Sequence, residues 1–290
     1  MTAIELRLAY RSPLATDPLM RFLADRAIPA VESFDGATFR RAVRTSEGRP
    51  AVIGLTPRPD GNEMTLRVTA DDVGDLSTLV RTARRLFDLD ADPRAIDAAL
   101  SEDPALEPLV LATPGIRLPG AVDGFELAVR AILGQQVSVR AARTFAGRIV
   151  EACGTSLERP VDGVTHLFPT AERLAEGSLR SLGLTNARAD TLQRMAALVS
   201  ADELDLSEAA DREVTAARLL AVPGIGPWTV AYISMRALRD PDAFPVGDLG
   251  VRMGFEALGL AASPAAVRSH AERWRPWRAY AVMHQWNRGH

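Results

Sequence analysis

The sequence predicts an α+β N-terminal domain, a small antiparallel sheet with helices, followed by an all-α bundle. Three observations carry this. Runs that alternate apolar and polar residues are confined to the first 90 positions. From Asp92 onward, helical periodicity and capping signals fill the chain. Near the end, a turn rich in proline and glycine, PGIGP, separates two apolar helical runs. The expected divisions are 1–90 for the α+β domain, 91–120 for a helical connector belonging to the bundle, and 121–290 for the bundle itself. A length of 290 residues suits one large or two ordinary domains.

In the first 90 residues IELRLAY, the stretch Phe39–Val43, AVIGL and MTLRVT read as about four strands. PLMRFLADRA is a short helix between the first two strands, and LSTLVRTARRLFDL is a helix with Leu76, Leu79, Val80, Ala83, Leu86 and Phe87 on one face. No catalytic constellation stands out here, so the scattered acids read as solvated and the domain as a scaffold or auxiliary DNA-contacting surface. Asp92-Pro93 is an N-cap and first-turn pair, and DPALEPLVLATPGIRLPG reads as the connector. Two helices follow, one opened by Asp123 with Glu126 at capping-box spacing, the other opened by Ser138 and closed by Gly154. Further helices fit Thr170–Glu176, Leu179–Leu182, Ala187–Val199 and Asp211–Ala221.

Composition narrows the function class. No apolar run is long enough to span a bilayer and none resembles a signal peptide, which leads us to expect a soluble, cytoplasmic protein without membrane partners. The single cysteine, Cys153, excludes an intramolecular disulfide and a cysteine-ligated cluster, and its setting in IVEACG reads as a buried thiol. All 34 basic residues are arginine. The net charge of −3 is unevenly spread, with five arginines against the single Glu272 in residues 268–290. A locally basic surface is therefore compatible with a neutral total.

The densest chemistry lies between Leu219 and Asp248, LLAVPGIGPWTVAYISMRALRDPDAFPVGD. Pro223, Gly224 and Gly226 end one helix and turn the chain, and Pro227 suits the first position of the next. Gly224 and Gly226 lack a Cβ, so their amides can approach an anion closely at a helix N-terminus; a nucleic-acid phosphate fits. Asp248 follows a Pro-Val-Gly turn and opens DLGVRMGFEAL, where it reads either as an N-cap or as a catalytic carboxylate. Trp228 and Tyr232 share one helix face. They and Trp286 read either as core or as the walls of a base pocket. Gln135 and Gln136 sit at a sharp helix-to-helix break, capping backbone or meeting DNA. Trp274 and Trp277, flanking Arg275-Pro276, read as structural.

VPGIGPWTVAY followed by FPVGD resembles the helix-hairpin-helix and Gly/Pro-Asp signature of base-excision DNA glycosylases. LPGAVDGFELAVRAILGQQVS, RRLFDL, LFPTAERLA, LGLTNARADTLQRMA and AERWRPWRAYAVMHQWN extend the resemblance, through most of the chain, to the 3-methyladenine DNA glycosylase II (AlkA-type) family. It implies an N-terminal domain like half of a TATA-binding-protein fold, then a helical bundle holding the cleft. It also implies a monomer that acts on double-stranded DNA with damaged bases, flipping alkylated purines such as 3-methyladenine or 7-methylguanine and hydrolysing their glycosidic bonds. Asp248 matches the family's essential aspartate, Trp228, Tyr232 and Trp286 its pocket aromatics, and Gly224 and Gly226 its phosphate-binding hairpin. Gln136 matches the wedge pushed into the gap left by the flipped base, a leucine in the best-known member. No cofactor is implied for catalysis; a monovalent cation, Na+ or K+, is implied on the backbone carbonyls of Leu220, Val222 and Ile225. Family members that also nick the strand use a lysine amine, in related enzymes at the position of Trp228. A chain without lysine is expected to be monofunctional. The alternatives are a glycosylase for deaminated or oxidised bases, a noncatalytic helix-hairpin-helix DNA-binding protein, and a fused alkyl-transfer regulator. For the last, this chain lacks the reactive cysteines.

Overall fold

The computed structural model describes residues 2–59, 61–72 and 74–288. Strand β1 (Thr2–Ala9) and helix α1 (Thr16–Asp25) are followed by β2 (Glu32–Phe34), β3 (Phe39–Arg44), β4 (Pro50–Pro57) and β5 (Glu63–Ala70). The five strands form an antiparallel sheet in the order β1-β5-β4-β3-β2, with Leu6 opposite Leu66 and Ile53 opposite Val68 fixing the register. Helix α2 (Leu76–Leu86) packs on β4 and β5, burying Leu79, Ala83 and Leu86. Sequence pattern anticipates four of these strands. The fifth, β2, is three residues long, too short to show a period.

The helical part opens with α3 (Pro93–Leu100), capped by Asp92 Oδ1 on the Ala95 N–H at 3.2 Å, and α4 (Glu107–Ala112). Then come α5 (Gly124–Leu133) and α6 (Val139–Cys153), the latter capped by Ser138. The expected capping box at α5 is corrected: Asp123 accepts from the Phe125 N–H at 2.8 Å, but Glu126 turns inward to two arginines. The acids of the N-terminal domain are not all solvated either. Glu32 is buried, and Arg41 joins it at 2.8 Å to Glu126 at 2.7 Å, with Arg130 3.1 Å from both carboxylates.

A second correction falls just after α6. Where the periodicity reads as helical throughout, β6 (Thr155–Val161) and β7 (Val164–Leu167) form an antiparallel hairpin. Its β6 strand carries a register irregularity that erases alternation, while the tip, Asp162-Gly163 with φ of 46° and 86°, is the Asp-Gly turn that favours two-residue hairpins. Leu157, Val164 and Leu167 pack on Ala42 and Val52 of the sheet's second face. The middle of β4 is therefore covered on both sides, which is why AVIGL reads as a continuous apolar run.

Helices α7 (Ala171–Glu176), α8 (Asn186–Ser200), α9 (Arg212–Ala221) and α10 (Pro227–Arg236) follow, with a 3₁₀ turn at Leu179–Leu182. Thr170, Thr185 and Asp211 cap α7, α8 and α9. The chain ends in α11 (Leu249–Ala257), α12 (Pro264–Ala271), a 3₁₀ turn at Glu272–Trp274 and α13 (Arg278–Asn287). One apolar core unites the sheet, α1 to α4 and α11 to α13; a second lies among α5 to α10. The C-terminal helices thus complete the N-terminal core. Trp274 is buried there, its indole N–H donating to Asp103 at 2.6 Å. Cys153 is buried as anticipated, and burial pushes its thiol up.

His284 on α13 is 2% exposed, and burial pulls its pKa down to about 4. Between pH 6.5 and 4 the unfolded chain binds a proton there that the folded chain does not, so acidification through this window favours unfolding. The expected contribution is about 3 kcal/mol, present above pH 6.5 and lost toward pH 4. Urea titrations across this range check it: His284→Leu should flatten the pH slope relative to the parent, whatever it does to absolute stability.

Candidate active site

The turn Pro245-Val246-Gly247, with Gly247 at φ 90°, delivers Asp248 to the start of α11. Asp248 is both an N-cap and the centre of a polar cluster. Its Oδ1 accepts from the Val251 N–H at 2.9 Å and the Trp286 indole N–H at 2.8 Å, and its Oδ2 from the Trp228 indole N–H at 2.9 Å. Three donors on one carboxylate that is 9% exposed fix its orientation. Trp286 approaches this closely because residue 250 is glycine: a Cβ there would sit 2.7 Å from the indole.

The aromatic residues form a column. Trp228 stacks on Tyr232 with centroids 5.4 Å apart, Tyr232 lies 6.1 Å from Trp286, and Trp286 stacks on Phe22 at 6.3 Å. These are separations of rings in direct contact. A planar group would therefore fit only by parting them or by stacking on an outer face.

Two contributors escape sequence reasoning. Phe22 comes from α1 of the N-terminal domain, so that domain builds part of the site; in the sequence it is one apolar position of an amphipathic stripe like any other. Arg236 lies one turn beyond Tyr232 on α10, donates to its hydroxyl at 3.0 Å, and holds the carbonyls of Pro119 and Gly120. The spacing Trp228, Tyr232, Arg236, four residues each, is a signal that could have found it. Burial pulls the Arg236 pKa down to about 10. Burial would raise the Tyr232 phenol, but Arg236, Arg26 and Arg130 outweigh it and hold the pKa below its ordinary value. Arg26 and Arg236 sit over the Phe22 ring, 3.9 and 4.8 Å from its centroid.

The hairpin lies at the other end of α10. Gly224 has φ 93°, and a Cβ there would run into Thr191 Oγ1, so backbone and packing both select glycine. Gly226 is the N-cap of α10, with open space where a Cβ would be. Gln136 is exposed at φ 55° in the turn between α5 and α6. Gln135 is not turned outward as a DNA-contacting group would be: its Nε2 donates to the Gly224 carbonyl at 3.0 Å and to Thr229 Oγ1 at 2.9 Å. Leu220 is half exposed, Val222 and Ile225 are buried, and the Val222 carbonyl accepts from the Ile225 N–H at 3.0 Å. Among the described residues no cluster of His, Cys, Asp and Glu could hold a metal ion.

Residues 5–123 match the AlkA N-terminal domain family, and residues 129–279 match the HhH-GPD superfamily base excision DNA repair protein family. A probable bifunctional transcriptional activator/DNA repair enzyme AlkA of Mycobacterium tuberculosis is 43% identical over 98% of this chain, which spans only 56% of that relative's length. The DNA-3-methyladenine glycosylase 2 of Escherichia coli is 34% identical, with 96% of this chain and 95% of the relative covered. Among solved structures, a 3-methyladenine DNA-glycosylase from Archaeoglobus fulgidus superposes with a TM-score of 0.81 at 24% identity, covering 97% of each chain. Among the described residues no helix is long and apolar enough to cross a membrane.

Proposed function

The chain belongs to the HhH-GPD superfamily of base excision DNA repair proteins, and from that premise we propose that it is a monofunctional DNA glycosylase. It excises alkylated purines of the 3-methyladenine and 7-methylguanine type from duplex DNA, acting as a monomer on cytoplasmic DNA and leaving an abasic site. One observation carries the reading: a single buried carboxylate, Asp248, is held by two indole N–H groups against an aromatic column.

The target nucleotide must leave the helical stack to reach that carboxylate. Gln136, exposed on its turn, fills the gap in the duplex, while the amides around Gly224 and Gly226, at the positive end of α10, grip a backbone phosphate. As the C1′–N bond lengthens, positive charge develops on the sugar, and Asp248 stabilises it in a poorly solvated setting. Water then adds at C1′ and the base leaves with the bonding pair; in this reading the water's proton passes to Asp248 or to solvent. N-alkylation supplies the leaving-group ability, and Trp228, Tyr232 and Trp286 supply π-faces that favour a cationic base. The neutral carbonyls of Leu220, Val222 and Ile225 fit a hard monovalent cation better than a divalent one, since the hairpin offers no carboxylate. Such a cation would tie the hairpin to a phosphate.

The lack of lysine in this sequence supports the monofunctional reading, because it offers no ε-amine to form an imine with C1′. The test is base release from duplexes carrying alkylated, deaminated or oxidised bases, with borohydride added in parallel. Free alkylated purine without a trapped covalent complex is expected. Release confined to deaminated or oxidised bases would reassign the substrate, and no release from any duplex would leave a DNA-binding protein.

A further inference from the structure

We infer that Gln135, Arg188 and Thr191 form a brace that locks the Gln136 turn to the phosphate-gripping hairpin, so that strand grip and base extrusion work as one rigid unit. The inference rests on the glycosylase reading above and adds positioning residues that act through others. Gln135 spends both hydrogens of its side-chain amide on the hairpin, one on the Gly224 carbonyl at 3.0 Å and one on Thr229 Oγ1 at 2.9 Å. Arg188 on α8 donates to the Gln135 carbonyl at 2.6 Å, fixing the backbone next to Gln136. Three residues on, on the same face of α8, Thr191 Oγ1 lies 2.8 Å from the Pro223 carbonyl and 2.9 Å from that of Ala187, sharing its one proton.

Pro223 and Gly224 form the apex of the hairpin, and both of their carbonyls are thus held by side chains. Thr191, which holds the Pro223 carbonyl, is 5% exposed, and Thr229, the second acceptor of the Gln135 amide that holds the Gly224 carbonyl, is 2% exposed. Gln136 at φ 55° is a conformation that non-glycine residues adopt only when their surroundings hold them there. The Arg188 contact on the preceding carbonyl is such a hold. A wedge levers a base out only if it is rigid relative to what grips the strand; otherwise the turn yields before the stack does. The brace supplies that rigidity over a path of four hydrogen bonds.

The experiment uses the full chain and two duplexes, one undamaged and one carrying a tetrahydrofuran abasic analogue beside 2-aminopurine. Anisotropy gives the preference for the abasic duplex, and 2-aminopurine fluorescence reports unstacking. Thr191→Val and Gln135→Met should each lower the preference roughly fivefold, a size typical of directly coupled residues, with a matching loss of the fluorescence rise. Thr191→Ser, which keeps the hydroxyl, should restore it. In a Gln136→Ala background the same substitutions should change the preference by less than about twofold, because a brace without a wedge has nothing to transmit. Penalties that add in full to that of Gln136→Ala, or an unchanged preference in both variants, overturn the brace while leaving the glycosylase reading intact. A parent protein with neither abasic preference nor base release overturns both. If Thr191→Val does not fold, Gln135→Met and Thr191→Ser decide the matter.

Discussion

Asp248→Asn is expected to cut base release by about two to three orders of magnitude, the range found when a preorganised electrostatic group is lost, while DNA affinity moves far less. Asparagine keeps the N-cap, since its carbonyl can still accept from Val251. It loses the negative charge that meets the developing cation. It also cannot satisfy both indoles: with its oxygen toward Val251 and Trp286, its amide nitrogen faces the Trp228 N–H, donor against donor. A stability loss of about 1–3 kcal/mol should accompany the kinetic effect. Single-turnover release on an alkylated duplex, read beside an equilibrium binding curve, separates the two consequences. Release within tenfold of the parent would remove Asp248 from the chemistry.

The largest stability effect is expected at Glu126. Its carboxylate is buried between Arg41 and Arg130, whose charges outweigh burial and hold its pKa below the usual range. Glu126→Gln keeps the shape and removes the charge, leaving two guanidiniums to share Glu32. Breaking a buried ion pair by removing one partner typically costs about 3–5 kcal/mol, because the remaining charge stays desolvated. The cluster joins β2 and β3 of the sheet to α5 of the bundle, and Arg130 also donates to the Arg26 carbonyl at 2.6 Å. Its loss should therefore loosen α1, which carries Phe22, as well as the fold. Chemical denaturation reads the stability change; a loss below about 1 kcal/mol would show that the cluster relaxes or admits water.

Much of this was legible in the sequence, and the limits have physical causes. Caps at Asp92, Ser138, Thr170 and Asp211 are local, made by a side chain and a backbone amide two or three residues on. Long alternating strands and the glycine-proline hairpin are local too. Glu126 was misread because spacing alone cannot tell a capping partner from a residue whose ion partner is 85 positions away. Strand β2 and hairpin β6–β7 are held by contacts with β3 rather than by patterns of their own. The residue types around Asp248 were legible from the family resemblance. That Phe22 reaches Trp286 across 264 positions, or that Gln135 points into the hairpin, depends on tertiary packing.

The β6–β7 hairpin has a mechanical corollary. It leaves the helical half of the chain and lies against the outer face of the sheet, while the Arg41–Glu126 contact ties the same two halves at another point. These two attachments, together with the core that the sheet shares with α11 to α13, oppose a swing of one half against the other. On the proposed reading, the deformation needed to engage a duplex would then fall more on the nucleic acid than on the protein, and the stiffness of the duplex would weigh on how readily it is engaged.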